Sequence, residues 1–217
     1  MPLSDGRRRL ALAFVIGIAL GLFSSRADWL PADTVLHVVV ALGNAIGPWV
    51  VVAFVAGALQ GETRRGPVGG LLALIAGVGT YYVAGALSWP GGIAAIGPLV
   101  VIWLVAAVVS GLALGAAGGG WAEGGRWRMI GPMLLAGSLL AEAAYRLIEV
   151  EAWTGIDLTR SAIQIAAFDL LAAILVPLLL LDRARRPTAY LGSLGVGAAG
   201  LILIVGAESV LRVVAYW

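Results

Sequence analysis

Ser161 to Leu181 reads SAIQIAAFDLLAAILVPLLLL, twenty-one residues with one charge, Asp169. At about 1.5 Å of rise per residue such a run is roughly 30 Å long as a helix, the thickness of a bilayer's hydrocarbon core. Six more stretches resemble it. With the first, they predict seven spans over Arg9–Ser24, Val35–Leu59, Pro67–Leu87, Pro98–Ala117, Met129–Ile148, Ser161–Leu181 and Tyr190–Val214. The chain has 217 residues, is 61% hydrophobic and 12% charged, and has a mean hydropathy of +1.00. An aqueous core cannot absorb that much apolar surface, so the expected class is an all-α membrane protein, a single bundle of seven transmembrane helices. All gaps are short, so a separate soluble domain has no room.

Composition removes whole classes of chemistry. All 14 basic residues are Arg, so a retinal Schiff base on lysine is excluded. There is no Cys, which excludes thiolate metal sites and disulfides. His37 is the single His, so neither a bis-His haem nor a multi-His metal site can be assembled. No cofactor or metal is expected, and no catalytic nucleophile–base pair is legible. The basic balance of +2 is read as a topology signal, with the lipid bilayer as partner and no nucleic acid.

Arg7, Arg8 and Arg9, Arg64 and Arg65, Arg126 and Arg128, and Arg183, Arg185 and Arg186 occupy alternate ends of the seven spans. The opposite gaps hold Arg26 and Arg160 among Asp28, Asp33, Glu149, Glu151 and Asp157. The positive-inside rule then places the N-terminus in the cytoplasm and the C-terminus outside it, in a bacterial inner membrane. Trp29, Trp89, Trp153 and Trp217 fall at the outer interface, Trp121 and Trp127 at the inner one. Arg7 to Ala27 also resembles a secretory signal, but the stripe Ala13, Gly17, Gly21 favours a retained packing helix.

Two backbone features stand out. Gly43, Asn44, Gly47 and Pro48 interrupt the second span, and Pro48 strains the carbonyl of Asn44. This is either a proline kink or a broken helix of the kind that lines transporter sites. Residues 45–61 and 95–111 share nine of seventeen identities, beginning with the tetrapeptide Ala-Ile-Gly-Pro in both, which suggests a parallel duplication. In the fourth span Ala107, Gly111, Gly115 and Gly119 recur every four residues. They form either a seam to a second copy or partner protein through Gly111 and Gly115, or an internal contact with Gly57 or Gly61 as mate.

Ions inside the spans carry the functional question. An ion at the bilayer centre costs roughly 2.5 kcal/mol or more, so such groups face inward and pair. Glu142 and Arg146 are four residues apart in the fifth span, as are Glu208 and Arg212 in the seventh. Counting rise from the helix ends puts Glu142, Asp169 and Glu208 at similar height, just outside the midplane. One reading makes them a brace between helices. The other makes them an outward-facing site for a small polar or cationic solute, lined further by Asn44, His37, Tyr81 or Tyr82, and Gln164. Three function classes follow: a transport-type protein, a non-catalytic accessory or assembly subunit, and an intramembrane carboxylate enzyme acting on lipid.

Asn44 with Gly47-Pro48-Trp49, Ala53-Phe54 and Gly57, together with Leu135-Ala136-Gly137 leading to Ala141-Glu142, resembles a family of small multi-pass membrane proteins of unknown function from actinobacterial-type genomes. The resemblance covers most of the chain and implies a fold but no activity. The chain is also similar in size to the substrate-binding subunits of energy-coupling-factor transporters. It departs from them in its seventh span and in having Ala13-x-x-x-Gly17 where they carry two alanines.

Overall fold

The computed structural model describes the backbone of residues 5–27, 30, 37–43, 45–86, 92–152 and 156–215. Among them every regular element is helical: α1 Asp5–Ala27, α2 His37–Gly43, α3 Gly47–Ala58, α4 Gly66–Ala86, α5 Gly92–Glu123, α6 Trp127–Ala152, α7 Ile156–Leu180 and α8 Arg186–Ala215, with a 3-10 turn at Arg183–Arg185. A helix satisfies its own backbone, which is what a chain must do in lipid. Among the described residues five helical stretches are long and apolar enough to cross a membrane: Asp5–Ala27, Gly66–Ala86, Val100–Glu123, Arg160–Leu180 and Arg183–Gly206.

The second and fifth expected spans differ from those five. The fifth is a helix of 26 residues, α6, but Glu142 and Arg146 reduce its apolar character. The second, expected as one span over Val35–Leu59, is two helices. α2 stops at Gly43 and α3 begins at Gly47, which places Pro48 in the first turn of the new helix. There the missing N–H is no loss and the fixed φ of proline suits a helix start. Across the break the Ala45 N–H donates to the Leu42 carbonyl at 3.3 Å, and the N–H groups of Trp49 and Val50 both donate to the Ile46 carbonyl at 2.9 and 3.1 Å. Asn44 itself lies outside the described residues. The duplicated tetrapeptides also diverge. The first opens α3, whereas Gly97-Pro98 falls inside α5, which starts at Gly92 rather than at Pro98.

The chain divides into two compact units, residues 1–131 and 132–217, with the boundary inside α6. In the first unit α4 packs on α1, α3 and α5, and α3 packs on α5. Small residues make these contacts. Gly17 and Gly21 of α1 lie against the carbonyls of Ala73 and Gly77, Gly57 of α3 against Gly115, and Gly118 of α5 against the Phe54 carbonyl. A Cβ on Gly111 would lie 2.8 Å from the Leu71 Cα and 3.0 Å from the Gly70 carbonyl oxygen. Lipid gives no hydrophobic force between helices, so close backbone approach supplies the association. The face of Gly111 and Gly115 is thus occupied within this chain, and Gly57 is among its mates.

Polar contacts gather three Arg-bearing segments at one end of this unit. Arg9 NH1 donates to the Gln60 carbonyl at 3.0 Å, and Gln60 Nε2 donates to the Ala56 carbonyl at 3.1 Å. The Thr63 N–H donates to Glu123 Oε2 at 2.6 Å, Arg65 pairs with Glu62 at 3.4 Å, and Arg126 lies 5.6 Å over the Trp127 ring. The segments that carry Arg9, Arg65 and Arg126 thus have their polar contacts at helix ends of this unit.

In the second unit α8 packs on α6 through small residues. A Cβ on Gly197 would lie 3.0 Å from Leu140 Cβ, and one on Gly200 2.9 Å from Ala141 Cβ. The end of α7 is capped from α8. Arg186 donates from Nε to the Leu181 carbonyl at 3.1 Å and from NH2 to that of Leu178 at 2.8 Å, and the Tyr190 hydroxyl donates to the Ile174 carbonyl at 2.8 Å. Last-turn carbonyls have no intrahelical donor, and a cation there suits the helix dipole. Pro177, inside α7, removes one more donor from the same stretch.

Candidate functional site: a buried carboxyl pair on α6 and α7

Ala162, Ile165, Ala166, Asp169, Ala173 and Pro177 are all buried. Their spacing of three and four residues makes them one stripe of α7, and Asp169 is its one charged member. Helical geometry, not solvation, therefore carries this carboxyl inward. On α6 the run Leu135 to Gly137, Leu139 and Ala141 to Ala143 is buried, so Glu142 is carried inward by the same packing that seats Ala141 near Gly200.

Glu142 is 2% exposed and Asp169 0% exposed. The charge of Glu142 acts on Asp169. Arg146, one turn on from Glu142, donates from NH2 to Glu142 Oε1 at 3.4 Å and also acts electrostatically on Asp169. At 3.4 Å this is a long hydrogen bond. Neither oxygen of Asp169 receives a hydrogen bond from a donor among the described residues.

Of the residues expected to form the site, Glu142, Arg146 and Asp169 come together. Gln164, on α7, is half-buried. Tyr81 belongs to α4 in the first unit, where it is half-buried and meets the Tyr82 ring edge to face, with centroids 5.0 Å apart. Glu208 and Arg212 lie on α8, but their side chains, like that of His37, are outside the described residues, as is Asn44. The sequence reading passed over Gln60, which is 3% exposed and ties Arg9 to α3. Its signal was available: an amide at the end of an apolar run, just before an Arg-bearing gap. Leu140, Ala144, Leu147, Leu170, Leu194, Gly197, Ala198 and Leu201 line an apolar groove of about 250 Å³ in the second unit, and neither carboxyl is among them.

Comparison with known proteins reaches as far as a family. Residues 2–213 match the family of unknown function DUF6518. The chain belongs to that family. No curated protein and no solved structure matches it. The DUF6518 match spans both units, so Glu142, Arg146 and Asp169 lie within the family's region.

Proposed function

We propose that this DUF6518 protein is an integral membrane protein of transport type that binds a small polar or cationic solute at Glu142 and Asp169, with Arg146 as internal counter-ion. Seven membrane crossings, a cytoplasmic N-terminus and a bacterial inner membrane complete the reading. They rest on the seven apolar runs and on the alternation of Arg between their ends. The observation that carries the function is the burial of the site: two carboxyls, 2% and 0% exposed, with Arg146 in contact with one of them. Intramembrane ions are costly and mark solute or ion pathways. A cationic group would supply the charge and the donors that Asp169 lacks. Both carboxyls are closed to solvent here, so solute access requires a rearrangement, as alternating access does in transporters generally.

The closed, dry setting also favours a second reading, an accessory subunit in which the same three side chains fix α6 to α7. Ligand-induced stabilisation separates the two. A ligand present at about 100 times its Kd stabilises by roughly 2.7 kcal/mol. The purified protein in detergent is heated with a panel of primary amines, guanidines, quaternary ammonium compounds and alkali cations. The transport reading expects at least one to raise the Tm of the wild type and not that of Asp169→Asn. No shift across the panel, or equal shifts in both proteins, supports the brace.

A further inference from the structure

In the first unit α1 and α4 lie side by side and run in the same direction: Gly17 meets Ala73, and four residues on Gly21 meets Gly77. Carried back toward the helix starts, the same register puts Leu12 level with Val68 and Arg8 level with Arg64. All four side chains are exposed. Arg8, Leu12 and Val15 also share one face of α1, because they are four and three residues apart, and Val15 is exposed too. Both helices therefore present a guanidinium one turn before an open apolar surface, on stretches long and apolar enough to cross a membrane.

The chain draws more arginine to this junction. Arg9 reaches from α1 to the Gln60 carbonyl, at 3.0 Å. Arg65 reaches back, with its NH1 3.9 Å from where a Cβ on Gly6 would lie. Few acids offset them. Asp5 and Glu62 are the described carboxylates of the two segments, and Glu123, which joins them from the end of α5, accepts the Thr63 N–H. Glu62 pairs with Arg65, whereas Arg7, Arg8 and Arg64 pair with no described carboxylate. We propose that the start of α1 and the α3–α4 connection form a binding surface for an anionic phospholipid. Its phosphate meets Arg8 and Arg64, and its acyl chains lie along Leu12, Val15 and Val68. Basic clusters at the ends of membrane helices attract anionic headgroups. An acidic soluble protein would match the arginines but not the apolar surface one turn below them. The surface does not depend on the carboxyls of α6 and α7, so it stands or falls apart from the solute reading.

Thermal unfolding of the full chain in nonionic detergent tests it, with dioleoyl phosphatidylglycerol, dioleoyl phosphatidylcholine, inorganic phosphate or polyglutamate added. Phosphatidylglycerol should raise the Tm of the wild type at lower concentration than phosphatidylcholine. Arg8→Gln with Arg64→Gln should raise the concentration needed for half of that shift by about tenfold or more. Arg26→Gln, at the opposite end of α1, should leave it unchanged. If the double variant fails to fold, the wild type still decides the matter. Salt at 1 M shortens electrostatic reach to about 3 Å and should abolish the preference for phosphatidylglycerol. Equal shifts with the two lipids overturn the proposal, as does a preference that persists in 1 M salt or is lost equally in Arg26→Gln. Equal stabilisation by phosphate or polyglutamate also overturns it, because the surface would then serve a soluble anion or an acidic protein.

Discussion

Arg146 is the cation on which the buried site depends, and its removal should be worse than the removal of its pair. Its side chain is 18% exposed, whereas that of Glu142 is 2% exposed. Arg146→Leu leaves a buried carboxylate beside a second carboxyl, and breaking a buried pair from one side costs about 3–5 kcal/mol. Arg146→Leu with Glu142→Leu removes both charges of the pair. The double variant should therefore recover most of the loss, read as Tm of the purified proteins in detergent. A double variant no more stable than the single one would mean that the pair is not a structural unit. A second residue-scale expectation concerns the cap of α7. Arg186→Ala removes two bonds to carbonyls and should lower stability by about 1 kcal/mol, and Tyr190→Phe by a similar amount. No loss from either would show those carbonyls to be satisfied by water. At this scale the sequence was informative where one helix decides. The four-residue spacing of Glu142 and Arg146 predicts their contact. Which acid Glu142 meets on another helix depends on helix rotation, and height along the membrane normal does not supply that.

At the scale of elements, glycine is where sequence becomes packing. Gly118 of α5 and Gly57 of α3 have backbone atoms of a neighbouring helix where a side chain would go. Gly118→Leu or Gly57→Leu must separate helices, and overpacking of this kind costs about 1–3 kcal/mol or more. Gly79 in α4 and Gly195 in α8 have nothing within 4 Å of an added Cβ. Gly79→Ala and Gly195→Ala should be neutral or stabilising by up to about 1 kcal/mol, from helix propensity alone. Thermal unfolding of the four variants checks the contrast, and equal losses in all four would remove close packing as its cause. The break after α2 shows what hydropathy hides. No charge interrupts residues 37–58, so an apolar window reads one span. The boundary is written in backbone terms, as Gly43 ending one helix and Gly47-Pro48 starting the next.

For the whole molecule, composition and Arg placement made the helical membrane class readable from sequence, and five long apolar helices agree with it. The duplication was less informative. Residues 45–61 and 95–111 share sequence but not helix boundaries, because Gly and Pro at a helix start and inside a longer helix satisfy different backbone requirements. The proposal of seven crossings makes Arg183 to Arg186 cytoplasmic and the end of α8 extracytoplasmic, since an odd number of spans separates the two ends of the chain. The burial of Glu142 and Asp169 has its functional meaning only inside such a bundle. The most direct test is a pair of topology reporters, one inserted between Arg183 and Arg186 and one fused after Trp217. The account predicts a cytoplasmic signal from the first and an extracytoplasmic signal from the second. Reporters at both positions reading the same side of the membrane would contradict it.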